Sequence, residues 1–241
     1  MTTTELPYPV RVDAELDPDV SRWLWLVKWV LVIPHYVALL VLWVGFAAVS
    51  VVAFFAILFT GRYPRVLFDY NLGVLRWTWR VHFYAYGALG SDRYPPFSLA
   101  EHSDYPATLQ VAYPQQLSRG LVLVKWWLLA IPHYLVLSVL VGGGVWLDRL
   151  GSDAWAVSGL LGLLVAIAAL SLLFRSTYPV SLFRLIVGIN RWSLRVTAYA
   201  ALMTDAYPPF RLDQGGAEPA AEAEAQQPDG PRATPGLPAP A

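Results

Sequence analysis

The tetrapeptide Ile33-Pro34-His35-Tyr36 returns as Ile131-Pro132-His133-Tyr134, 98 residues later. It is one match in an ordered series. Tyr8-Pro9 returns as Tyr105-Pro106 and Ser21-Arg22 as Ser118-Arg119, both 97 residues on. Tyr63-Pro64 returns as Tyr178-Pro179, 115 residues on. RWTWRVHFYA at 76–85 returns as RWSLRVTAYA at 191–200, and SDRYPPFSL at 91–99 as TDAYPPFRL at 204–212. Matches kept in one order are the signature of a repeated structural unit, and they constrain the fold before any local propensity does. The chain divides into an N-terminal extension 1–7, a first unit 8–99, a linker 100–104, a second unit 105–212 and a tail 213–241.

Each unit reads as four parts. The first is an alternating segment: Val10, Val12, Ala14 and Leu16 against Arg11, Asp13 and Glu15, then Leu109, Val111 and Tyr113 against Thr108, Gln110 and Ala112. Period two predicts a half-exposed strand. A strand needs a partner, so the two are expected to pair with each other into a small β element.

The second part is apolar. In the second unit, Leu121–Leu147 and Trp155–Phe174 are two runs of about membrane-spanning length, joined by the polar loop Asp148–Asp153. Gly142-Gly143-Gly144 reads as a flexible helix end or a close-packing point. On the second run Ser158, Gly162, Ala166 and Ala169 share a stripe on which another helix can approach closely. In the first unit Arg22 to Phe59 is apolar except at Lys28, Pro34, His35 and Gly45, and its 38 residues are short for two spans. Two readings stand: a tight hairpin turning near Trp43–Phe46, or an interfacial helix before Pro34 followed by one span. The arginines flanking this region favour the hairpin. It gathers them on the cytoplasmic side and gives about four membrane helices, against three in the other reading, with both termini cytoplasmic.

The third part is a helix carrying Arg76, Arg80 and Tyr84 four residues apart, matched by Arg191, Arg195 and Tyr199, with Trp77 and Trp192 beside the first arginine of each set. Such amphipathic helices suit the lipid–water boundary. The fourth, Tyr94-Pro95-Pro96-Phe97 or Tyr207-Pro208-Pro209-Phe210, cannot be helical because consecutive prolines remove backbone donors.

Composition agrees with a mainly α, multi-pass protein of the inner (plasma) membrane. Hydrophobic residues are 56% and charged residues 14%, where soluble domains carry about 25% charge. Eleven Trp and thirteen Tyr favour the bilayer interface. Absent cysteine removes disulfides, thiolate metal ligands and cysteine nucleophiles. The N-terminus has no cleavable-signal pattern. The tail from Asp213 holds five acidic residues and one Arg; rich in Ala, Pro, Gly, Gln and Glu, it is expected to be disordered.

IPHY, the GRYP at 61–64, RWTWRV with RWSLRV, and the two YPPF segments resemble an uncharacterised bacterial membrane family, the domain of unknown function numbered 4389. The resemblance covers about 8–212 and departs at STYP (176–179), which lacks the Arg of GRYP, and in the longer hairpin of the second unit. It implies membrane location and a repeated motif set, and brings no reaction, cofactor or catalytic residue.

No HExxH, Walker A, GxSxG or GxGxxG pattern is present, and no carboxylate lies within the main apolar runs, where ion-coupled transport would place one. His35 with Tyr36 and His133 with Tyr134 mark a polar membrane site. Two imidazoles are too few for a zinc site, and His82 and His102 have no counterparts in the second unit. No metal or cofactor is expected. The bland reading is that Pro34 and Pro132 start or kink a helix and the His and Tyr serve freed backbone groups. Arg76, Arg80, Tyr84, Arg191, Arg195 and Tyr199 are candidates for lipid or anion binding, since guanidinium matches phosphate bidentately. The expected function is non-enzymatic: binding of anionic phospholipid or of a membrane protein partner at the cytoplasmic face. The alternatives are a membrane-embedded enzyme using His35 and His133, and a small transporter or transporter accessory subunit. Nucleic acid is not an expected partner, because the basic residues are few and adjoin apolar runs.

Overall fold

The computed structural model describes residues 8–142 and 159–213. The fold is mainly helical with one small sheet. Strands β1 (Val10–Ala14) and β2 (Ala107–Val111) pair antiparallel, as expected, with Val10 opposite Val111, Val12 opposite Leu109 and Ala14 opposite Ala107. Positions 12 and 109 are 97 apart, the offset of the flanking sequence matches, so the pair is centred on corresponding residues. Val10, Val12, Ala14, Ala107, Leu109 and Val111 turn inward and are buried. Arg11, Asp13, Thr108 and Gln110 turn outward, the alternation of a sheet with one wet face.

The first unit continues as α1 (Trp25–Leu31), α2 (Ile33–Thr60) and α3 (Arg65–Tyr84). Pro34 falls in the first turn of α2, where its missing N–H removes no helical hydrogen bond. The helix ends at Gly61, whose φ of 71° is the left-handed conformation that glycine adopts without strain.

The hairpin expected near Trp43–Phe46 does not form. Helix α2 runs unbroken for 28 residues, and the chain adopts the other reading, a short helix before Pro34 and one long helix after it. Gly45 is a point of close approach and not a turn: a Cβ there would fall 2.2 Å from the Tyr70 hydroxyl oxygen. That hydroxyl donates to Leu42 O at 3.1 Å. Tyr70 thus draws α3 against α2 where a loop was expected.

The second unit continues as α4 (Leu121–Val124), a π-helical turn Lys125–Leu129, α5 (Ile131–Leu137), a second π-helical turn Ser138–Gly142, α6 (Leu160–Arg175) and α7 (Val180–Ala200). The seven residues of α5, the five of the turn after it and the sixteen of α6 together equal the 28 of α2. The 17 surplus residues that change the sequence offset from 98 to 115 fall between Gly142 and Leu160. Both ends of this insertion are adjacent, for a Cβ on Gly159 would lie 2.2 Å from the Gly142 amide nitrogen. The expected loop Asp148–Asp153 and Ser158 lie outside the described residues. The small-residue stripe is only partly the packing face of α6: Ala169 is buried with Leu161, Val165, Ala168 and Leu172, Gly162 is half-buried and Ala166 is exposed.

Among the described residues two helical segments, Ile33–Thr60 and Leu121–Gly142, are long and apolar enough to cross a membrane, and Leu160–Arg175 is a shorter apolar helix. Only 17% of the most apolar window of α2 is buried, unlike a core helix.

Helices α3 and α7 are the enclosed centre, which corrects their expected place at the lipid boundary. Helix α3 faces α2 with Tyr70, Asn71, Trp77 and Thr78. Asn71 Nδ2 donates to Ser50 Oγ at 3.0 Å, and Trp43 Nε1 donates to Thr78 Oγ1 at 3.1 Å. At about 100° per residue, Arg76 points to the opposite side of α3, where its Nε donates to Leu109 O of β2 at 2.9 Å. Strand β2 packs on α3 and β1 on α7. The layers run from sheet to central helices to α2. The end of α3 meets the start of α7 through Phe83 against Phe183, and the Tyr178 hydroxyl donates to Ala88 O at 2.6 Å.

Candidate functional site

Each IPHY histidine is closed into a box of aromatic rings. His35, fully buried, stacks on Phe97 with centroids 3.9 Å apart and planes at 14°. Tyr94 lies tilted at 4.8 Å and Trp77 edge-on at 6.0 Å. His133 repeats this with Phe210 stacked at 4.2 Å, Tyr207 at 4.8 Å and Trp192 at 5.6 Å. The first turn of α2 or α5 supplies the imidazole, the Arg-Trp helix the indole, and YPPF the stacking ring. Trp77 Nε1 donates to His35 Nδ1 at 3.1 Å, which puts the imidazole proton of the neutral ring on Nε2. His35 Nε2 and both ring nitrogens of His133 have no hydrogen-bond partner among the described residues.

The helix ends that precede the prolines are served by YPPF and not by the histidines. Tyr94 donates to Leu31 O at 3.0 Å, and Tyr207 to Leu129 O at 3.2 Å. Tyr134 donates to Trp126 O at 2.8 Å. Tyr36 and Tyr134 are otherwise exposed, at 50% and 42%. The two boxes share no residue, so the described contacts do not bring His35 and His133 together.

A second duplicated cluster pins each unit. Lys28, fully buried, pairs with Asp92 Oδ1 at 2.9 Å and donates to Ser91 O at 2.7 Å. Asp92 Oδ2 accepts from the Ser21 amide at 2.5 Å. Lys125, also fully buried, pairs with Asp205 Oδ1 at 2.7 Å and donates to Thr204 O at 3.0 Å, while Asp205 Oδ2 accepts from the Ser118 amide at 2.6 Å. The ammonium groups sit 4.5 Å from the Tyr84 ring and 5.7 Å from the Tyr199 ring. Burial, ahead of the nearby acidic groups, pushes both phenols up to about 12; they remain neutral and offer π faces to the cations. Sequence reasoning passed over both lysines. The signal was present: Lys28 and Lys125 are 97 apart, like Ser21 and Ser118.

The arginines proposed for phosphate turn inward. Arg80, Arg191 and Arg195 are buried. Arg80 donates to Ala100 O at 3.0 Å and to Ser98 O, and burial is the main cause that lowers its pKa to about 10. Arg76 pairs with Glu101 at 2.5 Å. Arg191 Nε donates to Val12 O at 2.9 Å, and Arg195 pairs with Asp213 at 2.6 Å. Arg76 therefore holds the central carbonyl of β2, and Arg191 that of β1. In a two-stranded sheet every strand is an edge, and each of these edges is covered at its centre by an arginine of the other unit. Tyr8 and Tyr105 cross between units in the same way, donating to Ala206 O at 3.2 Å and Arg93 O at 3.0 Å.

These arrangements define a mainly helical protein with a small sheet, its repeated sequence motifs folded into repeated boxes and pins. The chain belongs to the family of the domain of unknown function DUF4389, whose model matches residues 22–98 and 154–211, consistent with two copies. The first match takes in α1 to the first YPPF segment, the second α6 to the second YPPF segment. Comparison with curated proteins and with solved structures finds no match.

Proposed function

We propose that the protein is an integral protein of the inner (plasma) membrane, both ends cytoplasmic, that works without catalysis by binding anionic phospholipid. One observation carries the membrane reading. The exposed residues of α2 from Ile33 to Phe59 include no charge, whereas Lys28 and Lys125 are fully buried. Val37, Leu40, Val41, Val44, Val51, Val52, Phe55 and Phe59 are all more than half exposed. A chain in water places apolar groups inside and cations outside, and a contiguous apolar face of this extent marks an interaction surface.

The headgroup contacts fall to other arginines than those proposed from sequence, since Arg80, Arg191 and Arg195 are committed to groups within the chain. Exposed Arg62 and Arg119 line an open groove of about 350 Å³ at the end of α2, together with Thr60, Gly61, Gln116 and Leu117. Guanidinium groups there meet phosphate in the geometry they favour. The histidine boxes support structure over chemistry, because each imidazole is packed face and edge by rings.

The test is flotation of the purified full chain with vesicles of phosphatidylcholine alone or with added phosphatidylglycerol. Association with both, tightened several-fold by the anionic lipid and returned to the neutral-lipid level by Arg62→Glu with Arg119→Glu, is expected. Failure to float with either sinks the membrane reading. Equal binding to both sinks the headgroup reading and turns attention to a protein partner.

A further inference from the structure

Resting on the membrane reading above, we infer that α2 lies along the plane of the bilayer, its apolar face sunk into one leaflet, and does not cross. The sheet decides this. Trp43 bonds Thr78 and Ser50 bonds Asn71, so the middle of α2 is level with the stretch of α3 that includes Arg76, which reaches the centre of the sheet. A crossing α2 would hold Arg11, Asp13, Thr108 and Gln110, the wet face of the sheet, near mid-depth. Hydrocarbon does not tolerate such a face, because its charged and polar side chains lose the water that solvates them. Placed in the plane, the same molecule turns α2 to the acyl chains and the wet face of the sheet to water, since the two lie on opposite sides of α3.

Length and charge agree. Helix α2 measures about 42 Å at 1.5 Å per residue, against a hydrocarbon thickness of about 30 Å, and it is apolar over its whole outer face. Exposed arginines stand at both ends of the apolar layer: Arg62 and Arg119 where α2 finishes, Arg22 before α1 and Arg175 at the end of α6. A helix crossing the membrane gathers cations at its cytoplasmic end, whereas here exposed arginines stand at both ends of the apolar layer, where the headgroup phosphates of one leaflet can meet them. The occupant of the apolar face is therefore a phospholipid leaflet.

The chain has no cysteine, so single cysteines report without background. Asp19→Cys lies near the start of α1, Gln116→Cys near the end of α2, and Gln110→Cys on the sheet; all three positions are exposed. In whole cells and inverted membrane vesicles, an impermeant maleimide is expected to label all three from the same side. Spin labels at Val37→Cys and Phe55→Cys, both exposed, are expected at equal depth by oxygen and nickel accessibility. Labelling of positions 19 and 116 from opposite sides overturns the inference, as does a depth difference approaching the roughly 27 Å that separates 37 and 55 along a helix. A water-soluble oligomer with both spin labels protected overturns the membrane reading itself, and the vesicle flotation above separates that failure from this one.

Discussion

Trp77 Nε1 donates to His35 Nδ1 at 3.1 Å, and the corresponding Trp192 makes only a ring contact with His133. The same box is thus hydrogen-bonded in the first unit and held by packing in the second. Removing a donor from a buried acceptor costs about 1–3 kcal/mol beyond the lost area. Trp77→Phe is expected to destabilise more than Trp192→Phe by about 1 kcal/mol or more, read by thermal unfolding in detergent. Equal losses would show that the indole N–H contributes nothing to the first box.

The buried Lys28–Asp92 pair makes a sharper prediction. Lys28 is fully enclosed, and Asp92 also holds the Ser21 amide. Taking away one partner leaves an uncompensated buried charge, at about 3–5 kcal/mol. Asp92→Ala is expected to destabilise on that scale, and Lys28→Met to recover much of the loss when combined with it. A double-mutant cycle that comes out additive would mean the two groups are not coupled.

Gly45 tests the continuity of α2. A Cβ at this position meets the Tyr70 hydroxyl, and overpacking of this kind costs about 1–3 kcal/mol. Gly45→Ala is expected to destabilise, and Tyr70→Phe to relieve the clash. If Gly45→Ala were instead stabilising, through its better helix propensity, the close approach of α3 to α2 would be wrong.

His82 carries a pH prediction. Burial lowers its pKa below the ordinary value, against a contrary pull from a hydrogen bond to Asn190. The unfolded chain then binds the proton more readily than the folded one, so stability is full above about pH 6.5 and falls as pH drops. The second unit has Thr197 at this position. His82→Thr is expected to flatten the stability profile between about pH 7.5 and 5 relative to the parent chain, measured by unfolding at each pH.

Much of the fold was legible in residue order. The alternating segments foretold two strands and their pairing, and the repeated YPPF and Arg-Trp segments marked the parts that build each box. The hairpin in α2 was misread because Gly45 in an apolar run looks alike as a turn and as a contact point; only Tyr70, 25 residues away, distinguishes them. The arginine face of α3 was misread for a similar reason. A cationic helical stripe has one periodicity whether it meets lipid phosphate or the carbonyls of a strand.

The sequence by itself determined the duplication, the apolar segments and the boundaries of the motifs, because these are patterns along one chain. Tertiary structure decided which side of each helix meets what. It set Lys28 on Asp92 across 64 residues and Arg191 on Val12 across 179. It turned the sheet and α2 to opposite sides of α3. Those choices depend on which buried polar groups find partners, and a buried cation is tolerated only where a carboxylate or carbonyl from a distant segment arrives to meet it.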